Sequence, residues 1–184
     1  MRIIAGTWKG LRLASVGKGD AGAHLRPTSD RVRESLFNVL GNFDVIEGAR
    51  VLDLFAGTGA LGFEALSRGA SHVTFVDDGQ AARALLRENT ALCQAGGSVK
   101  VFRRDATRLG ERQGHSFDLI FLDPPYGKGL GERALQAALD CGWIAPNAVV
   151  VWEENAPQTP PNGFERLDAR KYGDTHITIL ERTK

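Results

Sequence analysis

The residues of this chain best equipped for chemistry are Asp123-Pro124-Pro125-Tyr126, placed directly after the apolar run Leu119-Ile120-Phe121-Leu122. Two successive prolines remove two backbone donors and restrict the residue before them, so the loop is stiff and its carbonyl oxygens form a fixed set of acceptors. A carboxylate before the pair and an aromatic ring after it suit one task in particular. An exocyclic amine on a nucleobase is a poor nucleophile, because its lone pair is delocalised into the ring. The Asp123 carboxylate and the Pro124 carbonyl oxygen can each accept one N–H from such an amine. That orients the nitrogen, favours a pyramidal geometry and aims the lone pair at an incoming methyl carbon. Tyr126 would stack on the base, a contact worth about 1–3 kcal/mol. A paired base cannot enter such a pocket, so the target is expected flipped out or unpaired. Pro-Pro alone would do no more than end a strand; the flanking Asp and Tyr, with a glycine turn upstream, carry the reading.

That turn is Gly57-Thr58-Gly59, followed by Gly62, after the apolar run Val51-Leu52-Asp53-Leu54-Phe55. It has the form of a dinucleotide fingerprint, with Asp77 about where an acid binds ribose hydroxyls. Glycines let a backbone approach a ligand closely, and a carboxylate can accept from two vicinal hydroxyls. NAD and S-adenosylmethionine share the adenosine, so Asp77 does not separate them. Asp53 does: an acid beneath the turn repels a pyrophosphate and suits the cationic amino-acid end of S-adenosylmethionine. Asp53 can at the same time bond loop amides. Asp105 reads equally as a contact to the adenine amine or as a helix N-cap before Ala106-Thr107.

Net charge is +1, but it is unevenly spread. Residues 1–33 hold seven basic side chains (Arg2, Lys9, Arg12, Lys18, Arg26, Arg31 and Arg33) against Asp20 and Asp30, while the remainder holds sixteen basic against twenty acidic. An anionic partner for the N-terminal segment, or a solvated basic surface, accounts for that asymmetry. Arg and Lys there can grip phosphates and position RNA without reading its sequence. Trp8 beside Lys9 can stack on a base or pack; Trp143 and Trp152 read as packing.

The elements that must position these residues follow from periodicity. Arg2–Gly6 and Leu11–Leu13 read as two short strands about a Lys9-Gly10 turn, and residues 14–23 as a Gly-rich connector. Thr28 or Ser29 caps a helix carrying Val32, Leu36, Val39 and Leu40 at helical spacing and ending at Gly41-Asn42. From residue 50, strands at 51–55, 73–76, 99–102, 117–122 and 149–152 alternate with helices at 60–68, 80–94 and 130–140. Alternation of this kind means a parallel, doubly wound α/β sheet. The chain ends on a hairpin of Phe164 to Tyr172 and Thr175 to Leu180, so the expected fold is Rossmann-like, with seven strands, mostly parallel, closed by an antiparallel hairpin. A division follows: an N-terminal basic hairpin-and-helix extension at 1–49 and a catalytic domain at 50–184. Cys93 and Cys141 have no metal-like spacing and read as small buried residues, so no metal is expected. No apolar run reaches the length of a membrane span and no signal-peptide core follows Met1, so a cytoplasmic location without membrane contact is expected.

At these residues the sequence resembles class I methyltransferases of the amino-group type. It resembles most closely the bacterial RsmD family of 16S rRNA guanine-N2 methyltransferases. The likeness covers Arg2-Ile3-Ile4-Ala5-Gly6, Lys9-Gly10, the block from Arg26 to Asn38, the block from Leu52 to Gly62, Asp123 to Tyr126, and Tyr172-Gly173-Asp174-Thr175. Residues 14–23 depart from the family pattern. The resemblance implies S-adenosylmethionine as cofactor, lined by Asp53, Phe55, Gly57, Gly59, Asp77, Asp105 and Ala106. It implies catalysis by Asp123, Pro124, Pro125 and Tyr126 on the N2 of a guanine in a 16S rRNA loop, within a small-subunit assembly intermediate, by a monomer. RNA contacts are expected from Arg2, Lys9, Arg12, Arg26, Thr28, Arg31 and Arg33. A DNA adenine-N6 or cytosine-N4 methyltransferase would use the same Asp-Pro-Pro-Tyr chemistry, but such enzymes usually carry a recognition domain for which 184 residues leave little room. A non-catalytic nucleotide- or RNA-binding module would not need both the turn and the loop.

Overall fold

The computed structural model describes residues 1–15 and 28–183; Lys18, Arg26 and most of the Gly-rich connector lie outside the described residues. The elements run α1 (Asp30–Asn42), β1 (Arg50–Leu54), α2 (Ala60–Ser67), β2 (His72–Val76), α3 (Gln80–Leu92), β3 (Val99–Phe102), β4 (Phe117–Leu122), α4 (Leu130–Asp140), β5 (Ile144–Glu154), β6 (Phe164–Tyr172) and β7 (Thr175–Arg182), with one turn of 3-10 helix at Gly96–Ser98. The seven strands form one sheet in the order β3-β2-β1-β4-β5-β7-β6. The first five are parallel, and β7 is antiparallel to both its neighbours.

Each face of the sheet carries its own apolar cluster, which is why the strands read as continuous hydrophobic runs. One cluster joins Val51, Phe63, Phe75, Leu86, Phe121 and Ile179; the other joins Leu52, Leu54, Ile120, Leu135, Trp143 and Leu180. Ile3, Leu13, Leu36, Phe37 and Leu40 belong to the first cluster, so the N-terminal segment shares its core with the sheet. The two expected N-terminal strands are a single bridge, Arg2 to Arg12, flanked by Ile3 N–H to Leu11 O at 2.9 Å and Gly10 N–H to Ile3 O at 2.8 Å. Ser29 caps α1, its Oγ accepting from Val32 N–H.

β5 begins five residues earlier than the apolar run Val149–Trp152 suggests. Pro146 and Asn147 (φ 63°) interrupt the alternation there, and the pairing with β4 shifts register between Phe117 and Leu119. Cys93 is buried as expected, whereas Cys141 is only half-buried.

Candidate active site

β2 and β3 lie on one side of β1, and β4 and β5 on the other, so the winding reverses between β1 and β4. Crevices form at such switch points, beyond the carboxyl ends of the strands. Leu54 pairs with Leu122, so the two chains leave the sheet side by side at Phe55 and Asp123. Adjacent strands lie about 4.8 Å apart, which puts the glycine turn and the Asp-Pro-Pro-Tyr loop face to face.

The turn itself is left-handed at Phe55 (φ 57°), Gly57 (φ 58°) and Gly59 (φ 80°). For Phe55, which has a Cβ, that conformation costs about 1–2 kcal/mol, a strain found where a ligand site requires it. At Gly59 a Cβ would stand 2.6 Å from Leu86 Cδ2 and 2.7 Å from Phe63 Cε2, so only glycine fits. Asp77 braces the turn: its Oδ2 accepts from Gly57 N–H at 3.0 Å and its Oδ1 from Gly79 N–H at 2.8 Å. A carboxylate has about four acceptor positions, so Asp77 retains capacity for a pair of hydroxyls.

Asp53 makes one of the backbone amide bonds that the sequence allowed it. It is 2% exposed, and its Oδ2 accepts from Gly62 N–H at 3.1 Å, within the first turn of α2. Burial holds its carboxyl well above the usual carboxylate range; the Gly62 N–H pulls the other way and the Asp77 charge pushes it further up. Its observed work is to tie β1 to α2. Asp105 is exposed, and its Oδ1 accepts from Thr107 N–H at 2.8 Å and Thr107 Oγ1 at 2.7 Å, bonds that lower its pKa. It caps a turn rather than a helix, because the chain from Ala106 to Ser116 is irregular. Ala106 packs into the second apolar cluster.

On the other side of the crevice Pro124 is buried, Pro125 is exposed, and Asp123 and Tyr126 are half-buried. The Tyr126 hydroxyl donates to Glu153 Oε1 at 2.9 Å and lies 3.3 Å from Thr175 Oγ1. The other Glu153 oxygen, Oε2, accepts from Thr28 Oγ1 at 3.2 Å. Gly127 N–H donates to Glu154 Oε1 at 3.1 Å. Burial, with smaller contributions from the Glu153 and Asp123 charges, pushes the Tyr126 phenol up to about 12, although the Thr175 hydrogen bond works against it. The loop is therefore held by Glu153 and Glu154 at the end of β5 and by Thr175 at the start of β7. None of these three was among the site residues expected from the sequence, although Thr175 lies in the Tyr172-Gly173-Asp174-Thr175 block that carries the family likeness. A pair of acids continuing the buried strand Val149–Trp152 is the signal that was available.

Two of the expected RNA contacts require correction. Arg33 has no exposed surface: it ion-pairs with Asp30, lies 3.5 Å from Glu64, and donates to Arg2 O at 2.9 Å and Thr28 O at 3.4 Å. Burial lowers its pKa while Asp30 and Glu64 oppose that. Glu64, equally buried, accepts from Ile4 N–H at 2.8 Å and Ala5 N–H at 3.3 Å and pairs with Arg68 at 3.3 Å. Arg33 thus bolts the N-terminal segment to α2 and has no edge left for a phosphate. Thr28 gives its hydroxyl proton to Glu153, a positioning contact inside the protein. Arg2, Lys9, Arg12 and Arg31 are exposed.

A doubly wound sheet in this order, with the turn and the loop facing each other across its switch point, has the architecture of class I methyltransferases, and the protein is a methyltransferase of that class. The chain belongs to the RsmD family, described as conserved hypothetical protein 95, which matches residues 1–181. It is 40% identical over 185 residues to ribosomal RNA small subunit methyltransferase D of Escherichia coli, covering 99% of this chain and 90% of that protein. The protein of that name from Haemophilus influenzae is 36% identical over 179 residues, covering 94% and 89%. The solved Escherichia coli structure of yhhF superposes with a TM-score of 0.84 at 35% identity, covering 100% of this chain and 98% of that one.

The residues present fit S-adenosylmethionine. The turn at Gly57 and Gly59 carries no side chain between the backbone and a ligand, and Asp77 offers acceptors to ribose hydroxyls.

Proposed function

We propose that the protein methylates the exocyclic N2 of a guanine in a 16S rRNA loop, acting on an assembly intermediate of the small ribosomal subunit. The observation that carries the chemistry is the placement of Asp123 beside the glycine turn through the Leu54–Leu122 register. Support for an RNA substrate comes from the relatives named ribosomal RNA small subunit methyltransferase D and from the exposed Arg2, Lys9, Arg12 and Arg31. The segment 1–49 then serves as the RNA-binding extension of a catalytic domain spanning 50–184.

S-adenosylmethionine, held by Phe55, Gly57, Gly59, Asp77, Asp105 and the backbone of Ala106, with Asp53 beneath the turn, supplies an electrophilic methyl group. The chain's residues prepare the acceptor. Asp123 and the Pro124 carbonyl oxygen take the two N–H bonds of the guanine amine, and the stiff Pro124-Pro125 pair keeps those acceptors fixed. The Asp123 carboxylate stabilises positive charge as it develops on the nitrogen. Tyr126, pinned at its hydroxyl by Glu153, offers a ring edge-anchored in one orientation for the base to stack on. Thr28 on the same Glu153 links the N-terminal segment to that ring.

The test is labelled methyl transfer onto small subunits from a strain lacking the enzyme, alongside naked rRNA and DNA, with nucleoside analysis of the product. Label in N2-methylguanine from subunits or rRNA is the expected result. Label in DNA adenine or cytosine would replace the reading with the DNA alternative.

A further inference from the structure

A second set of cations lies away from the N-terminal segment. Residues 103–112 hold Arg103, Arg104, Arg108 and Arg112 against only Asp105 and Glu111, inside the part of the chain that is net acidic. Two of them are laid on an aromatic group at the margin of the second apolar cluster. The Phe117 and Trp143 rings stack at 6.0 Å and 16°, and Phe102 meets Trp143 edge-on at 6.2 Å. Arg112 Cζ stands 4.8 Å from the Phe117 centroid and 5.0 Å from that of Trp143. Arg104 Cζ stands 4.8 Å from Phe102 and 5.7 Å from Trp143, and Arg50, the first residue of β1, stands 5.5 Å from Phe117.

Among the described residues none of these three guanidinium groups has a carboxylate within ion-pairing distance. Asp118 accepts the backbone N–H of Arg50, not its side chain. Arg50 Nε is buried without a hydrogen-bond partner. The three cations repel one another, and both Arg50 and Arg104 act on Arg112, whose pKa is lowered by burial first and by these charges second. An unneutralised cluster of stacked guanidinium groups is pre-organised for an anion with several oxygens, because the planar fork is weakly hydrated and already oriented.

We propose that Arg50, Arg104 and Arg112 form a second phosphate-binding patch that holds the RNA backbone apart from the N-terminal segment. Phe117 opens β4 and Asp123 follows its last residue, so at ~3.3 Å per residue the Arg50 and Arg112 end of the patch lies about 20 Å from the Asp123 carboxylate, while Phe102 under Arg104 ends β3 in register with Val76, Leu54 and Leu122. The N-terminal segment packs on the first apolar cluster and meets the loop through Thr28 and Glu153, whereas the rings under this patch belong to or border the second cluster, on the other face of the sheet. RNA gripped at both would be fixed in register by phosphate contacts that read no sequence. The proposal rests on the rRNA reading above.

The experiment measures binding of transcribed 16S rRNA and of intact small subunits across a potassium chloride series. It compares wild type, Arg104→Gln/Arg112→Gln and Arg104→Lys/Arg112→Lys, with cofactor affinity and melting temperature recorded for each. The Gln pair should bind more weakly, with a log K against log salt slope shallower by about 1.4, from about 0.7 per lost single-strand phosphate contact. Its KM for RNA should rise while kcat and cofactor affinity stay put, and the Lys pair should keep the wild-type slope. Should the Gln pair fail to fold, the exposed Arg104→Gln alone should lower the slope by about 0.7. An unchanged slope in a folded Gln variant overturns the patch. So does a Lys pair that loses as much as the Gln pair, which would make the role packing. Loss on subunits but not on naked rRNA assigns the patch to an acidic protein partner and also overturns it. A wild type that neither methylates rRNA nor binds it in a salt-dependent way fails the substrate reading instead.

Discussion

The two sides of the crevice are held by different kinds of contact. On the cofactor side the braces are short in sequence: Asp77 reaches Gly57 twenty residues away and Gly79 two away, and Asp53 reaches Gly62 nine away. All three are carboxylate-to-backbone bonds, so they depend on one side chain each. On the catalytic side the contacts run from Tyr126 to Glu153 across 27 residues, from Tyr126 to Thr175 across 49, and from Thr28 to Glu153 across 125. These are bonds between side chains on separate elements. The glycine turn is held within two consecutive strand-helix units, β1–α2 and β2–α3, while the Asp-Pro-Pro-Tyr loop is set by the assembled sheet. One consequence is that the two sides should fail independently.

The largest expected effect tests that independence. Asp123→Ala should lower methyl transfer by about a thousandfold or more, the scale of losing a positioned electrostatic group. Cofactor affinity by calorimetry should stay near wild type. Asp77→Ala should do the reverse in order, losing cofactor affinity first, because both Gly57 and Gly79 lose their acceptor. If Asp123→Ala loses affinity in step with rate, the separation of the two sides is wrong.

Next in size is the bolt beneath both. Arg33→Ala leaves Glu64 buried with one partner fewer, and removing one member of a buried ion pair costs about 3–5 kcal/mol. The expected readout is a large drop in denaturation midpoint. Arg31→Gln, two residues away on the opposite, exposed face of α1, should leave the midpoint alone and only lessen the salt dependence of RNA binding. Equal stabilities for the two variants would contradict the structural role given to Arg33.

That contrast also marks what the sequence could carry. Strand alternation, the glycine turn and Asp-Pro-Pro-Tyr were legible because each is written in consecutive residues or in a period of two or 3.6. The order of elements and the antiparallel closing hairpin followed from those patterns. Arg31 and Arg33 are two letters in one basic run, and nothing local says that one faces water and the other faces Glu64 on α2. The partners of Tyr126 were illegible for the same reason, since Glu153 and Thr175 come near it only when β4, β5 and β7 pair. The arginines at 104 and 112 were hidden by averaging, diluted in a segment whose net charge is negative.

Glu153→Gln should show a moderate effect on the catalytic side alone. An amide oxygen can accept from Tyr126 or Thr28, but its nitrogen cannot accept from the other, so one hydrogen bond is lost. At about 1–1.5 kcal/mol, that corresponds to roughly a tenfold fall in kcat. Cofactor affinity should move by less than a factor of two or so on the same scale. A fall in affinity as large as the fall in kcat would mean that Glu153 supports both sides of the crevice.

The smallest effect is a titration, and it reads the same contact without any turnover. The Tyr126 phenol is pushed up to about 12, by burial first and by the neighbouring Glu153 and Asp123 charges in smaller part. A proton held more tightly in the folded state than in the unfolded state stabilises the fold below the unfolded value. For tyrosine that value is about 10, and the contribution fades as pH rises from there through the folded value. In ultraviolet difference absorbance, the component present in wild type and missing from Tyr126→Phe should therefore appear only toward pH 12. In Glu153→Gln the charge that opposes phenolate is gone, so that component should move down toward the ordinary tyrosine range. A component that stays in place would mean burial alone sets the phenol, and that Glu153 holds Tyr126 by geometry without charge.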